Sequence, residues 1–268
     1  LLFAKGIIVT IDQQIQASPE TDVYDIYGKH VVPGYIAGFT RIGLTEISAV
    51  KQTNDHSEIG EINPNVRANV SYNPDSDLIP VTRSNGILLV NSAPASGRIS
   101  GQSSVMMLDG WTWEDATMKH PAALNLNWPS MHFNFRKDAK KKEKDQRNNY
   151  NKAIREIDRL VRDVEAYHQR RTVKERKADQ KQQSDLRLES MIPFVIHHEP
   201  IHIRANDIRQ IEAAVKWANK HNFNIVIVGG QDAWRIPELL VKYNIPVILM
   251  SIQTTPTRRF EPIHTPYS

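Results

Sequence analysis

Gly28-Lys-His-Val-Val-Pro-Gly-Tyr-Ile-Ala-Gly-Phe-Thr-Arg-Ile-Gly43 is the stretch from which the rest of the chain is read. Val31 and Val32, then Tyr35 and Ile36, form a short apolar run interrupted by Pro33-Gly34. Proline removes a backbone donor and glycine frees the backbone, so the pair marks a crossing rather than the interior of an element. The stretch reads as a junction between a small first unit and the buried first strand of a larger one.

The totals allow that division. A chain of 268 residues with 40% hydrophobic content can bury a substantial core, as one large α/β domain or two smaller ones. No apolar run reaches the length of a membrane-spanning helix. Residues 1–10, Leu-Leu-Phe-Ala-Lys-Gly-Ile-Ile-Val-Thr, carry neither an initiator Met nor a cleavage pattern, and read as the interior of a longer chain rather than a signal peptide. The absence of cysteine excludes disulfides, thiolate metal sites and a cysteine nucleophile. The net charge of +4 is unevenly spread. Residues 136–182 hold 17 Lys and Arg against 9 Asp and Glu, so the remainder of the chain is net acidic.

Ahead of the junction, Gly6–Ile11 and Val23–Tyr27 are β-like runs around a turn-rich Ala17-Ser-Pro-Glu-Thr. Beyond it, residues 44–85 are polar, with Asn63-Pro64, Asn73-Pro74 and Ile79-Pro80, which predicts ordered loops and a short helix near 64–70. Gly86–Val90 predicts a buried strand, Ser92–Gln102 a small-residue loop, Val105–Leu108 a strand, and Leu124–Trp128 an alternating strand. Thr112, three residues before Asp115, predicts a helix start. In 136–182, Ile154, Ile157, Leu160, Val161, Val164 and Tyr167 form one stripe on a charged helix, with Asp158–Arg162 and Arg159–Asp163 as i,i+4 pairs. Few aromatic residues interleave the basic flanks, which favours a solvated surface excursion over a nucleic-acid arm. From residue 186, strands at 201–205, 224–228 and 245–250 alternate with helices after Asn206-Asp207 and from Ala233 to Tyr243, the pattern of parallel βαβ crossovers.

The junction also resembles the entry strand of the amidohydrolase superfamily, in particular its imidazolonepropionase-like group, whose pattern is Gly-Lys-x-Val-x-Pro-Gly-Leu-Ile-Asp-x-His-x-His. Gly28, Lys29, Val31, Pro33, Gly34 and Ile36 match. Pro200–Ile211 resembles Pro-x-x-Ile-His-Ala-Asp-x-x-Arg-Gln-Ile, and Ile225–Trp234 resembles the strand ending Ile-Glu-His-Gly. The resemblance implies an α/β fold: an incomplete TIM-like (β/α) barrel over 33–268, with a helical insertion at about 136–182, preceded at 1–32 by the end of a small β-sandwich. An eight-fold barrel at this spacing needs at least one more strand, so the chain is expected to be truncated at both ends. Many relatives of the group are exported, which favours a periplasmic or exported location over a cytoplasmic one.

The resemblance further implies a metal at the barrel mouth, generating hydroxide and polarising a carbonyl. The positions of its ligands are Phe39, Arg41, Arg204 and Gly229, none of which ligates a cation. No metal, no cofactor and no catalytic residue are therefore expected, and Phe39, Arg41, His202, Arg204 and Gly229 outline a degenerate binding pocket. His202 alternates with Arg204 and would lie one layer deeper; zinc at a non-standard site around His202 is the alternative. His197 and His198 would face opposite ways on an extended strand, and the remaining histidines lack ligand spacing. Asp55, Glu58 and Glu61, with Asp207 and Asp232, fall where barrel chemistry sits, though Asp207 and Asp232 suit helix starts equally well. The resulting expectation is a binding, scaffolding or partner subunit, with a protein partner or a small anionic ligand clamped by Arg41 and Arg204. The alternative is an active hydrolase of C–N bonds in cyclic amides or peptides using a rearranged site.

Overall fold

A computed structural model describes residues 1–133, 142–175 and 184–250, apart from the side chains of 173–175. The chain divides into two compact units, Leu1–Pro33 and Gly34–Ser268.

The first unit contains an antiparallel ribbon of β1 (Leu2–Ala4) and β2 (Ile7–Thr10). Val23–Tyr27 forms no strand, contrary to its composition. β-branched and aromatic residues suit a strand only when another strand receives their backbone groups.

The second unit is built on a seven-stranded sheet whose spatial order follows the sequence: β3 (Tyr35–Thr40), β4 (Ile87–Ser92), β5 (Ile99–Met107), β6 (Thr117–Asn127), β7 (Ile201–Ala205), β8 (Ile225–Gly229) and β9 (Val247–Leu249). β3 pairs in parallel with β4, β5 runs antiparallel to both its neighbours, and β6 to β9 are all parallel. The sheet curls towards closure, since a Cβ on Gly38 of β3 would lie 3.5 Å from Ile248 of β9, at the opposite end of the strand order.

β5 begins well inside the stretch expected to be a loop. Its small residues serve close approach instead: Gly101 has φ +129°, and a Cβ there would meet the Val66 carbonyl oxygen at 2.7 Å. The preceding polar segment bridges to this strand at Ile62–Ile99 and Arg67–Gln102.

Of the helices, α1 (Leu78–Ser84) precedes β4, and α2 (Trp113–Ala116) is one turn capped by Thr112, whose Oγ1 accepts from the Asp115 amide at 3.2 Å. In place of the short helix near 64–70, a single 3₁₀ turn covers Ala68–Ser71. The helical stripe lies on α3 (Glu143–Glu175). It is no mere surface excursion: Ile157, Val161 and Val164 are buried in the main core with Met191 and Phe194 of α4 (Leu186–Val195) and Ile211, Val215 and Trp217 of α5 (Ile208–His221). Of the basic flanks expected at 136–147 and 170–182, the parts 143–147 and 170–175 lie on α3, and 136–141 and 176–182 lie outside the described residues. α6 (Pro237–Lys242) follows a 3₁₀ turn at Ala233–Arg235, so the helix expected over 233–243 is broken at Ile236 ahead of Pro237.

α5 is fixed at its start by a reciprocal cap. Asp207 accepts from the Arg209 amide at 2.9 Å, Gln210 reaches back to the Asp207 amide, and Asp232 Oδ2 accepts from the Ile208 amide at 3.0 Å. Both aspartates thus satisfy helix-terminal N–H groups. Burial pushes the Asp207 carboxyl up, but its hydrogen bonds from Arg209, with the Arg209 and His132 charges, hold it below the usual carboxylate range.

Candidate functional site

Alternation along β7 decides which side chains meet inside the barrel. Ile201, Ile203 and Ala205 belong to the helix-facing core, so His202 and Arg204 project to the opposite face. Register places His202 beside Asn125 and Arg204 beside Asn127 on β6. Leu124 and Leu126 share the helix-facing core, so both asparagines look inward. On β4, Val90 packs outward into a second core with Met106 and Leu108, leaving Asn91 on the interior.

From β3, the Phe39 ring reaches to 6.3 Å from the His202 ring, tilted by 47°. Arg41 follows immediately after the strand, at the same end of the barrel as Arg204. Burial and then the positive charge of Arg204 hold the Arg41 guanidinium below its usual range. His56, whose Nδ1 lies 2.8 Å from Thr45 Oγ1, is pushed down by burial and then by Arg41, against an opposing pull from Asp55. Among the described residues, no carboxylate pairs with Arg41 or Arg204.

The interior beneath them is polar. Asn91 Nδ2 donates to the Gly38 carbonyl at 3.0 Å, and Asn125 Nδ2 donates to the Gly101 carbonyl at 3.1 Å. Because a carbonyl only accepts, those bonds fix which end of each amide is the oxygen. Asn91 Oδ1, Asn125 Oδ1 and His202 Nδ1 are buried and without a hydrogen-bond partner. Leaving such an atom unpaired costs about 1–3 kcal/mol. His202 is 8% exposed, and burial lowers its pKa to about 4, so its imidazole is neutral at neutral pH.

Phe39, Arg41, His202 and Arg204 are therefore brought together, and His56 joins them. Gly229 is not. It pairs with Ala205, and a Cβ there would meet Asn206 Oδ1 at 2.2 Å; the residue beside Arg204 is Val228. The sequence reading missed Asn91 and Asn125, although Leu124-Asn-Leu-Asn already showed the alternation that turns Asn125 inward.

Among solved structures, the chain is similar to a crystal structure of an amidohydrolase from Thermotoga maritima MSB8, with a TM-score of 0.82 and 22% identity, over 96% of this chain and 67% of that one. The fold is that of an amidohydrolase. No protein-family model matches the sequence, and no curated protein matches it.

The side chains present do not fit the metal that the amidohydrolase fold implies. Phe39 offers a phenyl ring, Arg41 and Arg204 are cations that accept nothing, and Gly229, which lies off the site, has no side chain. Among the described residues, no group of three or more His, Asp or Glu side chains is placed to hold a metal ion.

A serine dyad is the other source of hydrolytic chemistry, and Ser104 Oγ does lie 2.8 Å from His120 Nδ1. Arg67 Nε, however, donates to His120 Nε2 at 3.1 Å, which leaves the ring proton on Nδ1. His120 therefore donates to Ser104 and cannot take its proton. Ser104 is also fully buried.

A separate cleft of about 450 Å³ opens where β6 ends against α3, lined by Glu61, Arg98, Asn127, Trp128, His132 and Tyr150 among others. Its cation is already neutralised, because Arg98 pairs with Glu156 and stands 3.8 Å from Glu61.

Proposed function

We propose that this chain is an amidohydrolase-fold protein of the imidazolonepropionase-like group that has given up metal-dependent hydrolysis and acts as a binding or partner subunit. One observation carries the reading: where the resemblance would put a dication, the chain brings together Phe39, Arg41 and Arg204, and the fourth ligand position, Gly229, lies off the site and has no side chain. Loss of one ligand weakens a metal site; two guanidiniums in its place oppose a dication electrostatically. Elemental analysis of the purified protein is expected to find no stoichiometric zinc, iron or manganese. A stoichiometric metal would overturn the reading.

Hydrolysis by a rearranged site is the second reading, and His202 is the observation in its favour: a neutral, buried imidazole with an unpartnered nitrogen. A general base needs a water or nucleophile to act on and a group to orient it. Asn91 and Asn125 supply polar neighbours but no carboxylate. Turnover of a dipeptide or hydantoin panel that disappears in His202→Ala would support this reading; no turnover above buffer supports the first.

A further inference from the structure

We propose that the barrel interior binds a small carboxylate that also carries a hydrogen-bond donor, its carboxylate held between Arg41 and Arg204 and its donor end directed at Asn91, Asn125 and His202. The inference rests on the reading that this pocket holds no metal, and it names the ligand class.

The mouth and the floor of the pocket ask for opposite things. At the mouth, the positive charge of Arg204 acts on the Arg41 guanidinium, His56 stands next to Arg41, and no carboxylate pairs with either arginine among the described residues. Two like charges without a counterion repel, and an anion between them converts that repulsion into two attractions. A guanidinium fork matches the planar two-oxygen edge of a carboxylate. On the floor, the two asparagine amides are locked by the Gly38 and Gly101 carbonyls with their oxygens unpartnered. An oxygen acceptor repels an anion and welcomes an N–H or O–H. A ligand that is an anion throughout fits the mouth but not the floor.

Size follows from the strand. His202 and Arg204 are two residues apart on β7, a rise of about 6.6 Å. A molecule with a carboxylate at one end and a hydroxyl or amino group a few bonds away spans that distance, and the Phe39 ring against His202 supplies an apolar wall.

The test is calorimetric titration and thermal stability of the protein with γ-hydroxybutyrate, γ-aminobutyrate and δ-aminovalerate, set against acetate and inorganic phosphate. Hydroxy or amino carboxylates are expected to bind more tightly than acetate or phosphate. Arg204→Gln and Arg41→Gln are each expected to weaken that binding by about 10- to 100-fold, the value of a charge-assisted hydrogen bond. Arg83→Gln, which alters an exposed arginine paired with Asp109, is expected to leave it unchanged. If one pocket variant fails to fold, the other carries the test, because they sit on different segments. No binding of any carboxylate, phosphate binding as tightly as the hydroxy acids, or equal loss in Arg83→Gln would each overturn the proposal. Metal content of the same samples separates the two readings: a stoichiometric metal rejects the absence of a metal site, whereas a metal-free protein blind to carboxylates rejects only the ligand class.

Discussion

The ring of Phe39, on the first strand of the barrel, lies 6.3 Å from the ring of His202, four strands away in the sheet order. The two side chains thus meet across the interior. The imidazole behind the phenyl ring is buried, with a neutral ring and an unpartnered Nδ1.

That burial predicts an acid sensitivity with a defined sign. The folded pKa of His202 is about 4, below the unfolded value of about 6.5. Between these values the unfolded chain binds a proton that the folded chain does not, so stability rises with pH across the window. The contribution is complete above about pH 6.5 and is lost as pH falls towards 4, a difference on the order of 3 kcal/mol. His120, lowered to about 4 by burial and then by Arg67, acts in the same window. Urea midpoints measured between about pH 7 and pH 4.5 should fall with acidification, and less steeply in His202→Gln. Equal slopes in both proteins would show that His202 is not sealed.

Gly101 offers a test of the barrel wall. With φ +129° and the Val66 carbonyl oxygen 2.7 Å from where an added Cβ would stand, Gly101→Ala combines backbone strain with a backbone clash. Gly86 also has a positive φ, +83°, but its nearest neighbour, Tyr35, is at an ordinary 3.6 Å. Gly86→Ala should cost about 1 kcal/mol from strain alone, and Gly101→Ala at least about 2–3 kcal/mol. Denaturant titration of the two variants checks the order; equal losses would mean that the segment around Val66 yields freely.

These glycines also show where sequence reasoning stopped. The Asp207 cap and the stripe from Ile154 to Tyr167 were legible because each is a local signal with a local cause. The start of β5 was not, because Ser100-Gly101 reads as loop chemistry until the close passage of Val66 supplies a reason for small residues inside a strand. The alternation of strand and helix that reveals the parallel strands after residue 186 is missing around β5, so its antiparallel direction was invisible. In the pocket, Arg41 and Arg204 stand out because they occupy positions where the resemblance implies metal ligands. Asn91 and Asn125 do not, because an amide is neither acid, base nor metal ligand, and only its neighbours show that one of its atoms is left over.

The last prediction concerns Asp158, which helical spacing assigns to Arg162. Instead it turns to α5: Trp217 donates Nε1–H to Asp158 Oδ1 at 2.8 Å, and His221 Nε2 lies 3.2 Å from the same oxygen. Trp217 is only 7% exposed, so removing the carboxylate leaves an indole N–H with no partner in the core. Asp158→Ala should therefore cost about 1–3 kcal/mol, the penalty for an orphaned buried donor. Asp163, one turn further along, meets Arg159 at 3.7 Å on an exposed face, and Asp163→Ala should change stability by no more than about 0.5 kcal/mol. Thermal and urea unfolding of both variants decides the matter. Because α3 carries Asp158 and α5 carries Trp217, a large loss in Asp158→Ala with little in Asp163→Ala would show that α3 is tied into the barrel by this contact, and similar small losses would reduce it to a solvated ornament of the helix surface.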